Sequence, residues 1–395
     1  MSALKKRVLF LYIAISSGHQ RAAEALMGAV SRLNPHIVCH GIDTIAETYP
    51  IAGRFIGRMY LEMLKYTPQI WEFLYDNPAV EGTTRELREV MGAMNTRKIY
   101  RLLKRYRPRC LVCTQAVPLS VLANLKRRGR IKLPLVGVVT DFDAHSYWLS
   151  RHVDLYLVAT DEIKRKMVRE GIKEHRVAVT GIPIDPHFAV PGNKVDERDR
   201  LGLHPDKPTV LVTGGSRGLG PLEDIVSSLR RAMPSLQVIA VCGHNTHARD
   251  ILQERFGNDR HVRVFGFTRN LPRFMDAADL LVSKPGGMTC AESMAKGLPL
   301  VMIRPIPGQE ERNARYLLKH GAAARAQTIG ELVSTVQNLL KNREHLRQIA
   351  GRAKALAKPD AAPEAAEAIL KILREPLTSR PAPHDRARTH SSAAV

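Results

Sequence analysis

The sequence has no long apolar run and little cysteine. Its 395 residues include five cysteines, and no apolar run approaches the roughly 20 residues that a membrane-spanning helix needs. The run Val8–Ile15 follows three basic residues, as in a signal peptide, but it leads directly into a helical pattern. That order favours a strand, a loop and a helix over a cleaved leader. A sparse, odd set of cysteines is typical of a reducing compartment, so we expect a cytoplasmic protein.

Two of the cysteines, Cys110 and Cys113, have the CxxC spacing that is common in metal sites. They lie in an apolar run with no second pair and no nearby histidine. Residues i and i+3 of a strand face opposite sides of the sheet, so the two thiols would not converge on one metal ion. We predict buried structural cysteines and no metal site.

Acidic residues are scarce relative to basic ones. The chain has 60 Lys and Arg against 38 Asp and Glu, which gives a formal net charge of +22. Such a protein is expected to meet polyanions: nucleic acid, an anionic membrane or phosphorylated substrates. Aromatic residues are not interleaved with the basic ones, and no nucleic-acid-binding module is recognisable. We therefore expect no nucleic acid as a partner and keep a basic nucleic-acid-binding protein only as an alternative.

Short β-rich runs alternate with helical patterns along the chain. Most are continuously apolar, as strands buried on both faces of a sheet are, and the alternation implies parallel sheets with right-handed crossovers. We predict an α/β protein with two doubly wound, Rossmann-like domains. The candidate strands are Arg7–Ile15, Ile37–Asp43, Arg109–Thr114, Leu135–Thr140, Leu155–Ala159, Arg176–Thr180, Thr209–Thr213, Gln237–Cys242, Val262–Phe265, Leu280–Val282, Leu300–Ile303 and Ala323–Ala326.

A stretch rich in Pro and Gly, from Gly181 to Pro208, separates two series of strands and is interpreted as an interdomain linker. The predicted division is a first domain over residues 1–185, a second over 186–358, a C-terminal helix over 359–375 and a tail over 376–395. The composition of the tail predicts disorder. Two such domains facing across a cleft would bind ligands at the carboxyl ends of their strands.

The region after the second strand is unusually long and apolar. The segment Tyr49–Tyr75, which includes Trp71, fits either a core helix with a helical hairpin or an amphipathic insertion that dips into a bilayer. A basic stretch follows it directly: residues 85–132 contain 14 Lys and Arg and two Glu. That stretch is interpreted either as a solvated helix face or as a surface for anionic lipid.

Two glycine-rich loops follow strands of the second domain. Lys284-Pro285-Gly286-Gly287 opens a helix, where free N–H groups and the helix dipole favour a phosphate. Thr289 and Glu292 also fit a capping box, which would explain the motif without a ligand. The other loop begins at Gly214 and Gly215 and lacks both GxGxxG spacing and a P-loop lysine, so it is a weak phosphate signal on its own.

Two polar segments follow strands of the first domain. His19 comes after the first strand, and Asp141 and His145 come after the fourth. A histidine and an aspartate at two strand ends suit acid–base chemistry near a cleft. The alternative is that these side chains satisfy loop amides.

These residues together resemble glycosyltransferase family 28, in particular the branch of monogalactosyldiacylglycerol synthases and processive diacylglycerol glucosyltransferases. The resemblance runs from about Arg7 to Ala324 and is carried by four segments in order. They are Ser17-Gly18-His19-x-x-Ala22-Ala23, Thr140-Asp141 with His145 and Trp148, Val153-Asp154-x-Tyr156, and the block Gly266 to Gly321. It implies a GT-B fold and an inverting, metal-independent transfer of hexose from UDP-glucose or UDP-galactose to diacylglycerol. It also implies a peripheral location on the inner face of the cell membrane and no cofactor.

The resemblance also implies site residues. His19 is the first candidate for the catalytic base and Asp141 the second, and His145 and Trp148 are candidates for the acceptor side of the cleft. The predicted donor-binding residues are Gly214, Gly215, Phe267, Gly286, Gly287, Met288, Thr289, Glu292, Gln309 and Glu310. The basic stretch beside the amphipathic segment, rather than the resemblance, predicts membrane binding by Arg101, Lys104, Arg105 and Trp71. Plant members have a third glycine where this chain has Ser16-Ser17, so plant-type sugar choice is not assumed.

Two neighbouring activities remain open at this point. One is a UDP-N-acetylglucosamine transferase that acts on a lipid-linked peptidoglycan intermediate. The other is a UDP-N-acetylglucosamine epimerase, which would need no lipid.

Overall fold

The computed structural model describes residues 6–14, 17–48, 98–305 and 308–374. The apolar segment Tyr49–Tyr75, with Trp71, and the predicted tail over 376–395 lie outside the described residues. Among those that are described, no helix is both long and apolar enough to cross a membrane.

The first domain is built on a parallel sheet of six strands in the order β2-β1-β3-β4-β5-β6. The strands are β1 Arg7–Tyr12, β2 Val38–Asp43, β3 Cys110–Cys113, β4 Leu135–Val138, β5 Leu155–Val158 and β6 Val177–Val179. The helices are α1 Ser17–Leu33, α2 Thr44–Thr48, α3 over residues 98–106, α4 Ala116–Arg127 and α5 Asp161–Arg169. Short 3₁₀ turns cover Ser146–Trp148 and Glu174–Arg176.

The second domain repeats this plan with the strand order β12-β11-β10-β7-β8-β9. Its strands are β7 Thr209–Thr213, β8 Gln237–Val241, β9 Val262–Phe265, β10 Leu280–Ser283, β11 Leu300–Ile303 and β12 Ala323–Ala326. Its helices are α6 Lys194–Arg200, α7 Leu222–Ala232, α8 Thr246–Phe256, α9 Leu271–Ala277, α10 Gly287–Lys296, α11 Gln309–Lys319, α12 Ile329–Lys341 and α13 Arg343–Leu356. A final helix, α14 Ala361–Arg374, follows.

The twelve predicted strands are confirmed, most with one to three residues fewer at their ends. Every pairing within the two sheets is parallel, as continuous apolar runs require when helices cover both faces. Cys110 and Cys113 are both fully buried, and they face different core clusters on opposite sides of their strand. The alternation of side chains along a strand therefore accounts for this CxxC spacing.

The segment interpreted as a linker contains a helix that sequence analysis did not predict. Asn193 caps α6, and Arg198 of this helix is only 4% exposed. The Arg198 guanidinium donates to the Ala277 carbonyl at 2.8 Å and to the Asp279 carboxylate at 2.7 Å. These bonds fix α6 to the second domain, so this part of the segment is not a linker.

The last helix returns to the first domain. Alanines and aliphatic side chains of α14 pack against α1, within the same core cluster as β1 and β3. The chain therefore crosses between the domains twice. The two crossings touch at Gly181, whose φ is +92° and where a β-carbon would lie 2.5 Å from Cβ of Lys358.

Candidate functional site

The cleft lies where the strand order reverses in both sheets. In the first sheet β1 lies between β2 and β3, and in the second β7 lies between β10 and β8. At such a point the loops at the carboxyl ends of adjacent strands diverge and leave a crevice, the usual ligand site of doubly wound folds. The predicted glycine loops follow β7 and β10, and His19 follows β1. The topology thus brings the candidate residues of both domains to one cleft.

His19 is held from two sides in the first turn of α1. Its Nδ1 lies 2.9 Å from Oγ1 of Thr140, and its backbone carbonyl accepts a hydrogen bond of 2.8 Å from Oγ1 of Thr114. Burial lowers the pKa of His19 to about 4, and the hydrogen bond with Thr114 opposes this only in part. The ring is therefore neutral at pH 7 and able to accept a proton.

The two domains meet closely at Gly287. A β-carbon built on Gly287 would lie 2.0 Å from the carbonyl oxygen of Thr140 and 3.0 Å from Oδ1 of Asp141. We expected this glycine to admit a ligand, whereas the structure shows that it admits the backbone of the other domain. Met288 adds to the contact, because its Cγ lies 3.2 Å from the β-carbon position of Gly18. Thr140 therefore contacts His19, the first candidate base, through its side chain and contacts helix α10 through its carbonyl oxygen.

Asn313 joins three segments of the cleft and was missed by sequence analysis. Its side chain is fully buried. Its Oδ1 accepts from the amide of Phe142 at 2.8 Å, and its Nδ2 donates to Oδ1 of Asp141 at 2.9 Å and to the Pro285 carbonyl at 3.1 Å. Both donors and one acceptor position of the amide group are thus used; the bonds to Asp141 and Phe142 cross the domain interface, and the bond to Pro285 stays within the second domain. The sequence carried one signal for it: a polar residue on the buried face of α11, next to Ala314 and Leu317.

Asp141, the second candidate base, is nearly buried beneath this contact. Burial raises the pKa of its carboxyl to about 6, the hydrogen bond from Asn313 opposes the rise, and the charge of Glu310 adds to it. The Asp141 carboxyl accepts a hydrogen bond from Asn313 and lies next to Gly287. In this structure it therefore stabilises the contact between the two domains.

The amino end of α10 has no side-chain cap. Gly286 occupies its N-cap position and supplies no side-chain hydrogen bond. Thr289 is the third residue of the helix, so the capping box that we considered as an alternative is wrong. A related cap does occur at the start of α12, where Oγ1 of Thr328 accepts from the Glu331 amide and the Glu331 carboxylate accepts from the Gln327 amide. No side chain therefore competes with an anion for the first amides of α10, the groups that bind anions at helix N-termini.

Glu292 lies within α10, and the Glu310 carboxylate lies 4.0 Å from the β-carbon position of Gly286 at the start of that helix. Glu292 is 4% exposed, and burial raises its pKa to about 7 although the positive charge of Arg21 opposes the rise. Glu310 follows Gln309 in the first turn of α11 and forms an ion pair with Lys284. These positions are compatible with the predicted contacts to ribose and hexose hydroxyls, which stay predictions.

The remaining donor residues lie along the rim of the second domain. Gly214 packs against the backbone of its own loop, where a β-carbon would lie 2.2 Å from the Leu219 carbonyl oxygen. Phe267 is 46% exposed and stacks on His244 with ring centroids 4.4 Å apart. Arg217 of the same loop donates to the Ala14 carbonyl of the first domain at 3.3 Å.

His145 and Trp148 lie inside the first domain rather than on the surface of the cleft. They are 5% and 1% exposed. The hydroxyl of buried Tyr156 donates to the Trp148 carbonyl at 2.7 Å and accepts from the Ser150 amide at 2.8 Å. In this arrangement the two predicted residues support the loop that carries Asp141.

The predicted membrane-binding arginines and lysine form an exposed patch on α3. Arg101, Lys104 and Arg105 are exposed; Arg105 forms a surface ion pair with Glu47 at 3.4 Å and lies 5.5 Å from the centroid of the Tyr106 ring. Residues 98–132 contain no Asp or Glu, so no acidic residue lies close to this patch on its C-terminal side in the sequence. We refer to Arg101, Lys104 and Arg105 as the basic patch.

Comparisons with known proteins agree with this architecture. The family model for monogalactosyldiacylglycerol (MGDG) synthase matches residues 19–184, and that for the glycosyltransferase family 28 C-terminal domain matches residues 209–365. The chain belongs to glycosyltransferase family 28. It is therefore a sugar-transferring enzyme, and the two matches meet at the cleft described above.

Individual relatives are similar over most of the chain. A processive diacylglycerol beta-glucosyltransferase of Bacillus mycoides is 29% identical over 370 residues, which cover 92% of this chain and 93% of the relative. MurG of Acinetobacter baumannii has a TM-score of 0.61 at 18% identity, covering 93% of this chain and 99% of that one. Anabaena HepE, solved with UDP-glucose, has a TM-score of 0.53 at 16% identity and covers 92% of this chain and 99% of that one. The solved structures confirm the predicted GT-B fold.

Asn313→Asp is expected to make stability pH-dependent. The variant places a second carboxyl beside Asp141, and two buried like charges raise each other's pKa. When a carboxyl group has a higher pKa in the folded than in the unfolded protein, the folded protein becomes less stable as pH rises through that folded pKa. The difference in Tm between wild type and variant should therefore be larger at pH 8 than at pH 5. Thermal unfolding at the two pH values measures it, with exposed Asn338→Asp as control; an equal difference at both would contradict the assignment.

Proposed function

We propose that this enzyme transfers a hexose from a UDP-sugar to the free hydroxyl of diacylglycerol, with inversion at the anomeric carbon and without a metal ion. The observation that carries the proposal is the meeting of a neutral histidine and a helix N-terminus without a side-chain cap across one cleft. The similarity to diacylglycerol glucosyltransferases over nine-tenths of the chain supports the acceptor.

The donor half of the proposal rests on electrostatics. When the glycosidic bond breaks, UDP leaves with additional negative charge. The first amides of α10 and the dipole of this helix would stabilise that charge in place, without solvent reorganisation. Helix α10 is ten residues long and has no competing side-chain cap, which favours a diphosphate at this end.

The acceptor half of the proposal rests on His19. Displacement with inversion needs a base on the face of the sugar opposite UDP, to take the proton of the acceptor hydroxyl. His19 lies in the opposite domain from α10 and is neutral at pH 7. A hydrogen bond from its Nδ1–H to Oγ1 of Thr140 would leave Nε2 as the basic atom.

The pH dependence of kcat/KM should distinguish His19 from Asp141. The base must be unprotonated, so activity falls on the acid side as its pKa is passed. We expect the acid limb near pH 4 for His19; a limb near pH 6 would favour Asp141 instead.

His19→Ala should lower turnover by about a hundredfold or more and leave UDP affinity near wild type, with exposed His345→Ala as the control. Lost UDP affinity with normal turnover of bound donor would contradict the assignment.

We propose further that the basic patch contacts an anionic membrane surface, on the inner face of the cell membrane. Diacylglycerol is held in a bilayer, so the first domain must approach one. Each basic side chain near an anionic surface contributes about 1 kcal/mol. The patch belongs to the same domain as His19, and this favours delivery of the lipid from that side.

Replacing the basic patch by glutamine should weaken binding to anionic liposomes by roughly 100-fold at low salt, from about 3 kcal/mol of lost attraction. The loss should shrink as salt rises, because salt screens exposed charges. Vesicle sedimentation measures it. The matched control replaces Arg343, Arg347 and Lys354, three exposed basic residues on α13 of the other domain. Equal binding of the patch variant and wild type at every salt concentration would contradict the proposal.

A product assay tests the proposed reaction itself. The protein is incubated with diacylglycerol liposomes and, separately, UDP-glucose, UDP-galactose or UDP-N-acetylglucosamine, each with and without EDTA. We expect a glycosyl-diacylglycerol from a UDP-hexose, with an equal rate in EDTA. Transfer only to an isoprenoid diphosphate lipid, or release of UDP and an epimerised sugar without lipid, would overturn the proposal in favour of the two alternative activities.

A further inference from the structure

We infer that Lys284 binds the diphosphate of the donor and stabilises the departing UDP, an inference that rests on the proposed function. Sequence analysis named Lys284 only as the first residue of a glycine-rich motif. The structure places its ammonium group between the two glycine loops of the second domain.

The position of Lys284 is fixed by the pairing of β7 and β10. Ser283, the last residue of β10, lies opposite Thr213, the last residue of β7. The Ser283 hydroxyl also donates to the Thr213 carbonyl at 2.8 Å. Lys284 therefore leaves the sheet directly beside Gly214, and both loops begin at the same level of the cleft.

The side chain then extends into the space between these loops. Its Cε lies 4.0 Å from the β-carbon position of Gly215, and its Nζ contacts Oε1 of Glu310. The same carboxylate oxygen lies 4.0 Å from the β-carbon position of Gly286. Lys284, Gly215, Gly286 and Glu310 thus surround one point next to the amino end of α10.

A cation at this point has two possible partners. Without donor, Lys284 pairs with Glu310, and both side chains are mostly buried, at 21% and 12% exposed. A diphosphate at the amino end of α10 would offer a stronger anion to the same ammonium group. Transfer of Lys284 to the diphosphate would release Glu310 to accept hydrogen bonds from hexose hydroxyls. The ion pair therefore holds both groups ready in the absence of donor.

This role differs from that of a structural ion pair in a measurable way. A structural pair loses its contribution whichever partner is removed. If Lys284 binds the diphosphate, Lys284→Gln lowers UDP affinity by about tenfold to a hundredfold, whereas Glu310→Gln leaves it unchanged or raises it, because the competing carboxylate is gone. Neither variant should change the affinity for uridine, which lacks phosphate.

Titration calorimetry with UDP and with uridine makes this test, and thermal unfolding checks that each variant folds. Lys194→Gln is the matched control, because Lys194 pairs with Asp279 at the other end of β10 at 2.8 Å. Lys284→Arg keeps the charge and should retain most of the affinity.

Two results would overturn the assignment: wild-type UDP affinity in Lys284→Gln, or equal losses in Lys284→Gln and Glu310→Gln. Turnover gives a second readout, since charge grows on UDP in the transition state and kcat should fall by a larger factor than KM rises. Failure of the wild type to form glycolipid would overturn the proposed reaction, whereas normal glycolipid synthesis by Lys284→Gln would overturn only the role of Lys284.

Discussion

The close approach of Gly287 to the carbonyl of Thr140 is the constraint on which the cleft depends. A side chain of any size at Gly287 would push the domains apart, since its β-carbon would lie only 2.0 Å from that oxygen. The contact places the amino end of α10 beside the loop that orients His19. Donor binding and proton acceptance are thereby assigned to different domains and still share one cleft. Asn313 reinforces the same contact with two hydrogen bonds to the first domain, to Asp141 and from Phe142.

Much of the fold could be predicted from the sequence, because buried parallel strands have continuous apolar runs and helices between them. The strands and their grouping in two series followed from that pattern. Helix α6 could not be predicted, since seven mostly charged residues carry no apolar period. Its stability comes from contacts that only the folded chain makes, such as the burial of Arg198 against Asp279.

The sequence indicated which residues belong to the candidate site, but it did not indicate which of them contact each other. Glycine, histidine and carboxylate positions after strand ends indicated a cleft, and the topology brings them together. The sequence could not show that Gly287 faces the other domain rather than a ligand alone, or that Trp148 is a core residue. Asn313 was missed because one asparagine on a helix has no local signature; its importance arises from three segments that are distant in sequence.

The central claim is that a UDP-hexose lies between the amino end of α10 and His19. A structure of the protein with UDP-glucose bound tests this most directly. We predict diphosphate oxygens within about 3 Å of the amides of Gly287 and Met288, with the anomeric carbon facing His19. A diphosphate bound away from the amino end of α10, or a hexose that faces away from His19, would contradict the account.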